Sequence, residues 1–139
     1  MTSVDSNVLM ALWNEDDSLN TAARLALDAA LGRGSLVIAA PVFAELLAAP
    51  GRTEQFLNSF CRDTGIAIEW DLGESVGRAA GRAYQSYVSR RKRQGDSGAR
   101  RILADFWIGA HAAQNGFRLL TLDDRLYRAA FPTLAITRV

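Results

Sequence analysis

The sequence predicts an α/β fold built around a mainly parallel sheet, and three observations lead there. Short, continuous apolar runs such as Leu36-Val37-Ile38-Ala39 have the composition of strands buried on both faces. Stretches of helical periodicity separate one run from the next, as crossover connections require. Gly32, Pro50-Gly51 and Asn115-Gly116 punctuate the junctions.

Taken in order, Val4 leads a very short strand ending at Asp5, followed by a helix capped by Ser6 or Asn7. From Ser18 to Leu31, Ala22, Leu25, Ala26 and Ala29 trace one apolar helical face, closed by Gly32. After the 36–39 strand, Pro41 occupies the first position of a helix and Glu45 lies one turn inside it. A further helix runs from about Arg52 to Cys61, then a strand over Ile66-Ala67-Ile68. A long helix from Gly73 to about Arg93 ends in cations, which the helix dipole favours. Gln94 to Gly98 is a loop, and the helix carrying Asp105 ends near Asn115-Gly116. Arg118 to Thr121 is a fourth strand, with Asp123 placed to cap a helix over Asp124 to Ala130. A last strand covers Leu134-Ala135-Ile136.

Composition sets the outer bounds. The 139 residues, 49% hydrophobic and 22% charged, suit one compact domain spanning 1–139. A single cysteine, Cys61, and a single histidine leave no disulfide framework and no Cys/His zinc site, which fits a reducing, cytoplasmic setting. Cys61 reads as a small buried hydrophobe. No secretory signal and no membrane-length apolar run are visible. The net charge of +1 hides an asymmetry: between Arg78 and Arg101 eight Lys and Arg stand against the single acid Asp96. Such a basic strip points to a polyanionic partner, with a solvated helix end as the plainer explanation.

The chemistry lies in carboxylates placed where they do not belong. Within Ala104-Asp105-Phe106-Trp107-Ile108-Gly109-Ala110-His111-Ala112, Asp105 shares its helix face with Ile102, Ile108, Gly109 and Ala112, and with one cation, Arg101. A carboxylate there must be neutralised, paired or bound to a cation. Glu45 has the apolar neighbours Val42, Ala48 and Ala49, while Asp5 and Asp123 sit at or just past strand ends. Ligands of parallel sheets collect beyond the carboxyl ends of the strands, so the four acids can converge. Each has a bland alternative: a turn residue for Asp5, an N-cap for Asp123, a buried ion pair for Glu45 or for Asp105 with Arg101. Gathered together they repel, and a divalent ion with oxygen ligands, Mg²⁺ or Mn²⁺, resolves the conflict.

Four segments then carry a family resemblance: Val4-Asp5-Ser6-Asn7-Val8-Leu9, Val42-Phe43-Ala44-Glu45-Leu46, the Asp105 helix, and Leu120-Thr121-Leu122-Asp123. The chain resembles the PIN domain family, and within it the VapC-type toxin ribonucleases of toxin–antitoxin pairs. The resemblance implies a three-layer sandwich with a five-stranded parallel sheet flanked by helices. It implies an acidic Mg²⁺ or Mn²⁺ site made by Asp5, Glu45, Asp105 and Asp123, where Thr-x-Asp spacing favours Asp123 over Asp124. Asn7 and Thr121 would orient those carboxylates or hold metal-bound waters. It also implies hydrolysis of RNA, a homodimer and a neutralising antitoxin. Arg90, Arg91, Lys92, Arg93, Arg100 and Arg101 are the expected contacts to the RNA backbone. His111 is expected to pack or cap on its helix, and Trp13, Trp70 and Trp107 to anchor a core or an interface. Two other classes compete: a catalytically silent binding module with the acids around a structural ion or an Arg, and an aspartate-nucleophile phosphatase. The latter usually needs a second acid two residues after Asp5, where Asn7 stands.

Overall fold

The computed structural model describes residues 1–93 and 103–139. The predicted loop over Gln94–Gly98, together with Arg100, Arg101 and Ile102, lies outside them. Five strands are present: β1 (Thr2–Val4), β2 (Leu36–Ala39), β3 (Ala67–Glu69), β4 (Arg118–Thr121) and β5 (Ile136–Arg138). They form one sheet in the order β3-β2-β1-β4-β5, and every pairing is parallel. The chain builds outward from β1 in one direction, then returns to the other side of it. The order therefore reverses between β1 and β4, where an open parallel sheet leaves a crevice at its carboxyl edge.

Seven helices connect the strands among the described residues: α1 (Ser6–Leu12), α2 (Asn20–Arg33), α3 (Ala40–Ala48), α4 (Glu54–Thr64), α5 (Gly73–Arg93), α6 (Leu103–Asn115) and α7 (Arg125–Ala130). α1 packs on α2 and α3, and α3 on α4; α5, α6 and α7 pack on one another. Right-handed crossovers put these two groups on opposite faces of the sheet. Val4, Ile38, Leu119 and Leu120 are wholly buried between them. Each such side chain contributes about 1.5–3 kcal/mol of hydrophobic stabilisation. Among the described residues no helix is long and apolar enough to cross a membrane.

Several local details differ from the sequence expectation, each for a physical reason. Asp5, not Ser6 or Asn7, caps α1, because its own carboxylate accepts the Ser6 N–H at 2.8 Å. α2 runs to Arg33 and buries Ala23, Leu27 and Ala30, while Leu25 of the predicted face is 60% exposed. With five alanines in that helix the apolar contrast between faces is slight, and tertiary packing chose the neighbouring stripe. α3 starts one residue before Pro41. α4 begins after Thr53, whose hydroxyl accepts the Phe56 N–H, and ends at Gly65 with φ 74°. β5 lies two residues later than predicted, since Leu119 and Leu120 pair with Ile136 and Thr137.

The helix that carries Asp105 packs tightly against the end of α7. Gly109 of α6 faces the ring of Phe131 at the end of α7, and a Cβ there would lie 2.3 Å from Cε2 and 2.6 Å from Cδ2. Phe131 is also packed on Phe106, at 6.5 Å between ring centroids, so it has little room to yield. Gly109→Ala is expected to lower stability by about 1–3 kcal/mol through overpacking. Trimming the ring with Phe131→Leu in the same chain should recover part of that loss. Denaturant midpoints measure both, and an unchanged midpoint for Gly109→Ala would contradict the packing.

Candidate active site

The crevice beside β1 and β4 is lined with acids brought from four elements. Asp5 follows β1 directly and is 3% exposed. Its Oδ1 accepts the Ser6 N–H, while its Oδ2 accepts the hydroxyls of Thr121 at 2.8 Å and Tyr127 at 2.9 Å. Thr121, the last residue of β4, is in turn contacted by the Asn7 side-chain amide at 3.3 Å. The Asn7 side-chain Oδ1 accepts the Leu122 N–H at 3.1 Å. Asn7 and Thr121 thus tie the start of α1 to the end of β4 and fix one Asp5 rotamer.

The Tyr127 hydroxyl reaches a second carboxylate, Asp105 Oδ1, at 3.4 Å. Glu45, projecting from α3, is held by the Ser6 hydroxyl donating to Oε1 at 3.1 Å. Asp5, Glu45 and Asp105 therefore share one neighbourhood, linked by Ser6 and Tyr127. Among the described residues none of the three forms an ion pair with Lys or Arg. Arg101, the cation that the sequence offers to Asp105, lies outside them.

The electrostatic consequence is large. Burial pushes the Asp105 carboxyl up to about 7, helped by the charges of Asp5 and Glu45 and more weakly by Asp123; the Tyr127 hydroxyl opposes the shift. Burial also raises Asp5, against the hydrogen bonds of Thr121, Tyr127 and Ser6. Glu45 is raised by burial and by the Asp5 charge. Tyr127 is raised for the same reasons, so its hydroxyl stays a donor at any ordinary pH. Three carboxyls that resist ionising together want positive charge nearby.

Asp123 behaves differently. Both its oxygens are engaged by Arg125, at 3.1 and 2.9 Å, and it accepts the Arg125 N–H at 3.2 Å. Those contacts hold its carboxyl down at about 2. The N-cap position of α7 itself is Asp124, which pairs with Arg128 and makes no side-chain capping bond; the carboxylate that meets the first N–H of the helix is that of Asp123. The Asp123 charge still reaches Asp105. Asp5, Glu45 and Asp105 converge directly, then, while Asp123 stands at the rim turned to an arginine.

Residues that sequence reasoning passed over now carry the geometry. Tyr127 bridges two acids, Ser6 positions a third and Arg125 occupies the fourth. A tyrosine in a six-residue helix just past Asp123 was the available signal, because a buried phenol needs a polar partner. His111 is buried, paired with Glu69 of β3 and packed edge-on against Phe117, away from the acids. Trp13 packs on Phe56 and Phe60 beneath Arg52, and Trp107 is half-buried against Gly77. Trp70 lies outside the core, 59% exposed beside Phe43. Cys61 is buried, as expected.

Among the described residues no three His, Cys, Asp or Glu side chains stand as a finished ion cage. The donor set nonetheless fits a hard divalent ion. It offers oxygen only, in mutual repulsion, with no described cation to relieve it.

Comparison with known proteins agrees with the fold. The PIN domain model matches residues 3–132. The crystal structure of FitAcB from Neisseria gonorrhoeae aligns at a TM-score of 0.66 and 23% identity, over 99% of this chain and 97% of that one. VapBC-1 from nontypeable Haemophilus influenzae aligns at 0.63 and 20% identity, over 99% and 96%. VapBC2 from Rickettsia felis, bound to a DNA fragment from its promoter, aligns at 0.63 and 15% identity, over 99% and 98%. No curated protein matches the sequence. A family model that spans all but the ends of the chain, on a sheet of this order with acids at its crevice, means that the protein belongs to the PIN domain family.

Proposed function

We propose that the protein is a Mg²⁺- or Mn²⁺-dependent endoribonuclease, the toxin component of a toxin–antitoxin pair. The observation that carries this reading is the meeting of Asp5, Glu45 and Asp105 in one crevice with no described cation among them. These three, with Asp123 at the rim, would hold the metal. Once bound, such an ion supplies an acidified water and positive charge beside a phosphate. The chain's own residues do the rest. Asn7 and Thr121 hold Asp5 in one rotamer, Tyr127 keeps Asp5 and Asp105 facing one another, and Ser6 aims Glu45. A carboxylate of the cluster accepts the proton of the water that attacks the phosphodiester.

Backbone contacts to RNA would come from Arg90, Arg91, Lys92 and Arg93 at the end of α5, with Arg100 and Arg101 beyond the described residues. The likeness to FitAcB, VapBC-1 and VapBC2 supports a cognate antitoxin as protein partner, the family resemblance supports a homodimer, and the single cysteine supports a cytoplasmic setting.

Cleavage of single-stranded RNA should require Mg²⁺ or Mn²⁺, stop in EDTA, and fall by at least about 100-fold in Asp5→Asn or Asp105→Asn. Undiminished cleavage by either variant removes the assignment. A second prediction concerns the metal-free protein. Because the fold raises Asp105 from its ordinary 3.8 to about 7, folded protein keeps a proton that unfolded protein gives up. The contribution of Asp105 to stability is therefore fully present below about pH 4 and is lost as pH rises through about 7. In EDTA, Tm should decline across that window, and Asp105→Asn should flatten the decline. Added Mg²⁺ or Mn²⁺ should raise Tm more at pH 8 than at pH 5. Parallel Tm profiles for wild type and Asp105→Asn would contradict the coupling.

A further inference from the structure

A groove of about 710 Å³ runs between the C-terminal half of α5 and the end of α7, separate from the acidic crevice. One wall is a stripe of α5: Arg82, Ser86, Ser89 and Arg93 recur at helical spacing, with Gln85 and Arg90 beside them. All six are exposed, and from Ala79 to Arg93 the helix has no acid to offset them. The opposite wall is Ala129, Ala130, Phe131 and Pro132, which offers neither charge nor side-chain donor. The result is a trough with hydrogen-bond donors along one side and apolar surface along the other.

We propose that this trough anchors the phosphates of single-stranded RNA at a distance from the cleaved bond, through Arg82, Arg90 and Arg93 with Gln85, Ser86 and Ser89 as neutral donors. The inference rests on the ribonuclease reading and extends it to how the substrate is held. Chemistry favours this occupant. A phosphodiester presents only acceptors, which three guanidiniums and three neutral donors satisfy, and a ribose lies against an apolar wall. From Arg82 to Arg93 the stripe is about 16 Å long at 1.5 Å per residue, long enough for more than one consecutive phosphate.

Placement favours it too. Phe131, in the apolar wall, is one helical turn from Tyr127, which touches Asp5 and Asp105. The same Phe131 rests on Gly109, one turn from Asp105 on α6. Both paths cover about 6 Å of helix axis, so the apolar wall of the trough packs on the elements that carry the acids. Not every cation of the basic strip belongs to the trough. Arg91 lies along the Tyr87 ring, its Nε donating to the tyrosine hydroxyl at 2.9 Å. Among the described residues no acid pairs with Arg82, Arg90 or Arg93.

The test uses the full chain and a fluorescently labelled single-stranded RNA of about a dozen nucleotides, first in EDTA so that binding is read without cleavage. Arg82→Ala with Arg93→Ala should weaken binding at least about tenfold. It should also lower the slope of log affinity against log salt by about 0.7 for each arginine that contacts a phosphate. Arg33→Ala, which removes one charge from α2, should do neither, and Lys at both positions should restore part of the affinity. With Mn²⁺ present, the loss should appear in KM rather than in kcat.

The proposal is overturned if the paired variant binds like Arg33→Ala, if its loss falls in kcat alone, or if poly-glutamate binds wild type more tightly than the RNA does. RNA that binds through Arg82 and Arg93 but stays intact with Mn²⁺ supports the trough and removes the nuclease reading. Metal-dependent cleavage indifferent to both substitutions removes the trough alone.

Discussion

Repulsion among Asp5, Glu45 and Asp105 is the constraint around which the rest of this molecule is arranged. Left to themselves, three partly buried carboxylates would turn outward to water or bind protons. The fold prevents the first by surrounding them with short polar contacts: Ser6 on Glu45, Thr121 on Asp5, and Tyr127 between Asp5 and Asp105. It does not prevent the second, which is why Asp105 holds its proton to about neutral pH. The crevice is thus built in a state that a divalent cation would relax. Crowding these carboxyls costs stability locally, a pattern common to functional sites.

Sheet topology explains how residues so far apart meet. Only the reversal of strand order between β1 and β4 puts the ends of the first and fourth strands side by side, across more than a hundred residues of sequence. The Asn7 amide then reaches Thr121 and Leu122, a contact that ties the earliest helix to a late strand. Asp5 also caps α1, so one side chain begins a helix and faces the crevice. Removing it would disturb both, which makes Asn the informative replacement there and Ala a poor one.

Much of this was legible in the residues. β2 and β4 stand where their apolar runs place them, because a strand buried on both faces leaves an unbroken hydrophobic signature. The convergence of Asp5, Glu45 and Asp105 followed from their positions at strand ends and on an apolar helix face. The buried face of α2 was not legible, since alanines on every side leave the pattern without contrast. Nor was β5, whose position is set by pairing with β4 rather than by its own composition. The attachment of Asp123 to Arg125 was hidden for another reason. A neighbour two residues away can turn a carboxylate outward without leaving any periodic trace.

The pairing of His111 with Glu69 has a consequence for mechanics. β3 is an outer strand of only three residues, hydrogen-bonded to β2 alone, and such margins ordinarily open first. The imidazole staples that margin to α6, the helix on which Asp105 rides. Loosening of the sheet's rim would therefore pull on the helix that positions Asp105, so that the integrity of the periphery and the spacing of the three acids are mechanically linked.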